Sequence, residues 1–150
     1  RNFNVANGCI GQVKYGMLDM AWYTLTEDFD GDVEKFEKAV WAKLQVLPAV
    51  QGTCMSVMFS HIMDGGYSAG YYGYKWAEVL DADAFSVFKE RGLFSREVGE
   101  EFRRKLLEKG GTVHPMTLYK DFRGQEPTIE ALLRRNGIVP EKKIKERIDR

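Results

Sequence analysis

The chain has 150 residues, 44% of them hydrophobic, which suffices for one globular domain with a real core. Lys plus Arg and Asp plus Glu number 22 each, so no net field draws in phosphate backbones or anionic lipid, and no nucleic-acid partner is expected. Cys9 and Cys54 fit neither a disulfide framework nor a zinc ribbon, and no apolar run reaches membrane-span length, so a reducing, cytoplasmic setting away from membranes is expected, with a disulfide-free periplasmic protein as the alternative.

The sequence opens at Arg1 with RNFNVANG, lacking an initiator Met and any signal or transit pattern, which suggests a fragment. A period of 3.6 residues then dominates, without strict alternation, and predicts an all-α fold of several helices. From about Gly11 to Leu25, Val13, Met17, Met20 and Ala21 form a stripe that ends at the acidic EDFDGD. Val33, Phe36, Val40, Leu44 and Leu47 mark the next helix, with Asp32 as its N-cap, Pro48 beyond its end, and Glu34, Lys35, Glu37 and Lys38 on a solvated face. A loop at Gly65 and Gly66 leads into a long helix from about Tyr67 to Arg91, stopped by Gly92. Ser95 caps a helix bearing Val98, Phe102 and Leu106, with Gly110 as its stop. Pro115 and Pro127 open two short helices, separated by Gly124 and ended by Gly137. The charged tail 138–150, with Ile144 and Ile148 four apart, reads as a weak surface helix.

The stretch FSHIMDGGYSAGYYGYKWAEVLDADAF crowds phenols and glycines beside His61. On a helix Tyr67, Tyr71, Tyr74, Glu78, Asp81 and Phe85 share a face, while Tyr72, Trp76 and Val79 form the apolar face suited to a core. The first face reads either as the lining of a cleft or as rings packed inward with hydroxyls satisfied locally. Gly65 and Gly66 permit positive φ and close approach of a ligand backbone, although a glycine pair is also the ordinary material of a turn. An imidazole and phenols aimed at one point can stabilise an oxyanion, but no attacking group is evident. Cys54 reads as a small buried thiol. Glu78, Asp81 and Asp83 are possible metal ligands in type only, since the two histidines are far apart and no His-Glu-x-x-His helix is present. His114 reads as a turn or capping residue.

This stretch resembles the C-terminal signature of the thimet-type zinc metallopeptidases, nearest their peptidyl-dipeptidase and oligopeptidase A branch. NFNVANG, MLDMAWYTL and EKGGTVHPMTLYKDFRGQEPTIEALLRRNG extend the likeness over almost all of Arg1 to Gly137. Asp64 departs from it, standing where a small residue is usual. The resemblance implies a C-terminal channel subdomain (residues 1–150) of a larger, helical, zincin-type peptidase that hydrolyses short peptides. It also implies one Zn2+, held by an upstream His-Glu-x-x-His segment and a glutamate, with no metal ligand in this chain. His61, Tyr67 and Tyr74 take catalytic roles by the same likeness, and Gly65, Gly66 and Tyr71 bind substrate. The expected partners are short peptides and the upstream part of the same polypeptide. The fragment alone is expected to be inactive, and to self-associate through uncovered apolar surface. A non-catalytic helical peptide-binding module on the same scaffold is the alternative.

Overall fold

A computed structural model describes residues 2–138. Its regular structure is helical, with no strand among the described residues, in agreement with the sequence periodicity. The α-helices in chain order are α1 (Val5–Tyr23), α2 (Val33–Trp41), α3 (Ser60–Met63), α4 (Gly73–Arg91), α5 (Arg96–Phe102), α6 (Pro115–Arg123) and α7 (Glu130–Arg135). The chain divides into two compact units, one spanning Phe3–Trp76 and one from Ala77 onward. The tail helix expected around Ile144 and Ile148 lies outside the described residues.

In the first unit α1 packs on α2. Leu18, Phe59, Ile62 and Tyr71 form its buried centre, surrounded by Tyr15, Trp22, Val40, Trp41 and Met55. The inward face of α1 therefore carries Tyr15, Leu18, Asp19 and Trp22, whereas Val13, Met17 and Met20 of the expected stripe are exposed. Both sides of α1 bear large apolar groups, so periodicity does not choose between them. The aromatic side does, because its rings bury more area and find ring partners: Tyr15 lies 5.2 Å from Phe59 and Trp22 lies 4.3 Å from Phe36.

Asp32 caps α2 as expected, accepting the Lys35 N–H at 3.0 Å, and this bond is the main reason its pKa falls below the usual carboxylate value. Glu37 departs from the expected solvated face, being only 4% exposed. It accepts the Met55 N–H at 2.9 Å, the Ser56 N–H at 2.6 Å and the Ser56 hydroxyl at 2.8 Å. Those three bonds satisfy a buried charge and tie the 54–56 loop to α2.

The second unit closes over Ala84, Val87, Val98, Tyr119 and Phe122, with Leu80, Phe88, Phe102, Leu106 and Met116 against them. Ser95 caps α5, and the expected Val98, Phe102 and Leu106 all reach this core, the last through a π-helical turn over Arg103–Leu107. Pro115 opens α6 behind His114, whose Nδ1 accepts the Met116 N–H at 3.3 Å, and Gly124 ends it at φ 80°. α7 begins at Glu130, beyond Pro127, and Gly137 follows it at φ 73°.

The long helix expected from Tyr67 begins only at Gly73, although it ends at Arg91 before Gly92 as expected. Residues 67–72 instead make successive turns, in which the Gly70 N–H donates to the Tyr67 carbonyl at 2.9 Å and the Gly73 N–H to the Gly70 carbonyl at 3.0 Å. Ala69 at φ 56° interrupts any helix there. The apolar face does not reach the core as expected: Tyr72 and Trp76 are 62% and 49% exposed, and Tyr71 of the opposite face is buried instead.

Candidate functional site

α3 is a single turn, and His61 is its second residue. The Ser60 carbonyl accepts the N–H groups of Asp64 at 2.8 Å and Gly65 at 2.6 Å, while the His61 carbonyl accepts the Tyr67 N–H at 3.0 Å. A Cβ on Gly65 would lie 2.9 Å from the Ser60 carbonyl oxygen and 3.0 Å from the His61 Cα, and Gly66 has φ 77°. A side chain is therefore excluded by its neighbours at position 65 and strained by the backbone at position 66. The pair folds the chain back on itself, bringing the Tyr67 ring to 5.7 Å from the imidazole.

Tyr71 meets the same imidazole edge-on at 5.8 Å and Tyr74 at 6.2 Å, and Tyr67 stacks on Tyr74 at 5.2 Å. The expected ring residues thus come together through a reversal of the chain, since Tyr67 and Tyr71 precede the helix that carries Tyr74. Tyr71, 8% exposed, belongs to the core and lies 5.0 Å from Phe59. His61 is exposed, and Tyr67 and Tyr74 are 45% and 40% exposed, so this edge of the cluster is open. A hydrogen bond with Tyr67, followed by partial desolvation, raises the Tyr74 pKa above the ordinary phenol value. Tyr74 accordingly keeps its proton through the neutral range and remains a donor. An open imidazole with two phenols can offer hydrogen bonds to a carbonyl or an oxyanion; it contains no activated nucleophile.

Three anchoring groups beneath the cluster escape sequence reasoning. Asp19 is 0% exposed and accepts the Ala69 N–H at 2.8 Å and the Tyr71 N–H at 2.9 Å. Ala69 stands in the left-handed region, which costs a residue with a side chain about 1–2 kcal/mol. Tyr23 donates its hydroxyl to the Ile62 carbonyl, and Ser68 does the same at 2.7 Å. The signal for Asp19 was a carboxylate set among Tyr15, Leu18 and Trp22 on one helix face, since a lone charge on an apolar face must find partners.

Among the described residues no group of three or more His, Cys, Asp or Glu side chains is placed to hold a metal ion. Asp83 accepts the Tyr119 hydroxyl at 2.5 Å with Arg123 Nε at 3.3 Å, and Asp81 pairs with Arg135. The described donors therefore do not fit a zinc ion. Cys54 is half-buried, its Sγ 3.7 Å from the Glu37 carboxylate. Both line a cavity of about 490 Å³ together with Tyr15, Trp41 and Met55, and none of the expected site residues lines it.

The profile of peptidase family M3 matches residues 1–138. The chain belongs to peptidase family M3. This M3 chain is 41% identical to oligopeptidase A of Haemophilus influenzae over 143 residues, which cover 93% of the chain and 21% of that protein. Oligopeptidase A of Escherichia coli is 38% identical over 139 residues, covering 92% of the chain and 20% of that protein. Dipeptidyl carboxypeptidase of Salmonella typhimurium is 40% identical over 124 residues, covering 81% and 18%. The M3 chain thus spans about a fifth of the length of the curated relatives it matches. None of its described helices is long and apolar enough to cross a membrane.

Proposed function

We propose that this chain is part of a zinc-dependent peptidase acting on short peptides, in which it provides substrate-binding and transition-state-stabilising groups. The observation that carries the proposal is the open His61–Tyr67–Tyr74 cluster in a chain of peptidase family M3. His61, Tyr67 and Tyr74 donate to the scissile carbonyl and its neighbours, with their strongest bonds made as negative charge develops on oxygen. Removing one such donor typically lowers kcat by about a hundredfold to a thousandfold. Gly65, Gly66 and the small exposed edge of Tyr71 contact the peptide backbone.

The metal belongs to another segment of the polypeptide, with a His-Glu-x-x-His motif and a further glutamate as ligands. Bound there, it supplies a Lewis acid and an activated water. Relatives named for oligopeptidase and for dipeptidyl carboxypeptidase activity support short peptides as the substrate class. A cytoplasmic setting completes the proposal, supported by the unpaired Cys9 and Cys54.

An internally quenched peptide assayed with added zinc tests this division of labour. The chain alone is expected to give no turnover, and the chain joined to its metal-binding segment to give metal-dependent turnover. Robust turnover by the chain alone contradicts the proposal. Peptide binding without turnover in the joined protein supports the non-catalytic alternative instead.

A further inference from the structure

Asp19 lies wholly buried in α1, and each of its oxygens takes one backbone N–H: Oδ1 from Ala69 and Oδ2 from Tyr71. Both amides belong to the turn before α4, 50 and 52 residues along the chain from the carboxylate. The turn needs that support, because Ala69 sits at φ 56°, a conformation that an alanine holds only when its surroundings impose it. The turn also sets the cluster. Tyr71 places its ring 5.8 Å from His61 and 5.1 Å from Tyr74, and Tyr67 and Tyr74 stack across the turn. Tyr23, one turn further along α1, donates to the Ile62 carbonyl in α3, so α1 grips both the helix of His61 and, through Asp19, the turn between the tyrosines.

We propose that Asp19 is a positioning residue for the His61–Tyr67–Tyr74 cluster, acting through its two hydrogen bonds to the 69–71 backbone. The catalytic consequence rests on the peptidase reading; the conformational one does not. Asparagine cannot replace the carboxylate, since it offers one oxygen and turns an N–H donor toward the second amide.

The test compares Asp19→Asn with Glu37→Gln, another buried carboxylate of the same unit, which holds the 54–56 loop rather than the tyrosine turn. In Asp19→Asn the Ala69 and Tyr71 amides are expected to lose about tenfold or more of their hydrogen-exchange protection. The Tyr74 phenol is expected to titrate closer to an ordinary tyrosine as its contact with Tyr67 loosens. Glu37→Gln is expected to leave both readouts unchanged. Ala69→Gly in the Asp19→Asn background is expected to restore part of the Tyr74 shift, because glycine accepts positive φ without help. In the metal-loaded peptidase, Asp19→Asn is expected to lower kcat about tenfold or more while KM stays within about twofold.

An unaltered Tyr74 titration in Asp19→Asn, or an equal change in Glu37→Gln, overturns the proposal. Should Asp19→Asn fail to fold, the unmodified protein decides: Ala69 and Tyr71 amides exchanging as fast as those of exposed turns overturn it as well. The exchange and titration readouts need no turnover, so the positioning role and the peptidase reading can fail separately.

Discussion

The Tyr119 hydroxyl donates to Asp83 at 2.5 Å, and Arg123 stands 3.3 Å from the same oxygen. Burial, then the bond to the carboxylate, pushes the Tyr119 pKa well above its ordinary value. A folded-state pKa raised in this way gives stability that is complete below the unfolded tyrosine value of about 10 and is lost as pH rises through the folded one. Alkaline titration followed by circular dichroism is therefore expected to loosen the second unit from about pH 10 upward. Tyr119→Phe is expected to flatten that dependence and to lose about 1.5–3 kcal/mol at neutral pH, because the buried Asp83 side chain loses its phenol donor. An identical alkaline profile in the variant contradicts this. At this scale His61, Tyr67, Tyr71 and Tyr74 were legible, since phenols and glycines crowd one imidazole within a single short stretch. The partners of Asp19 and Glu37 were not, because the amides they hold lie 50 and 52 residues away for one and 18 and 19 for the other. Glu37 in particular sits among Glu34, Lys35 and Lys38, and nothing in that run singles out the one carboxylate that turns inward.

Helix boundaries fixed by local chemistry were the readable part of the elements. Asp32, Ser95 and Pro115 open helices, and Gly92 and Gly124 close them, each through a bond or a dihedral within a turn of its own position. Ser95→Ala is expected to cost the second unit about 1 kcal/mol in urea unfolding, because the Val98 N–H loses its acceptor. No shift in midpoint would argue that this amide is solvated equally well without the cap. Two features depend on tertiary contacts and were misread. α1 has apolar groups on both sides, and its inward face is chosen by ring partners on α2 and around α3. α4 starts late because the turn before it is held by Asp19, a constraint invisible to any window around Tyr67. That late start also explains why Tyr67 stacks on Tyr74, since in a continuous helix the two would stand two turns, about 10 Å, apart.

At the scale of the molecule, Val46, Leu47, Val50, Val57 and Met58 are 66–74% exposed, an apolar run flanking the cavity beside α1 and α2. Such a surface promotes association. Sedimentation velocity of the chain alone is expected to show concentration-dependent self-association, and a single monomeric species at all concentrations contradicts it. Membership in peptidase family M3 and a span of about a fifth of its relatives set the larger frame, within which the tyrosine cluster carries the functional claim. That claim is tested most directly by Tyr74→Phe in the metal-loaded peptidase. A hydroxyl that binds mainly the developing oxyanion requires kcat to fall about a hundredfold or more with KM nearly unchanged. A rise in KM at constant kcat, or no change in either, would contradict it.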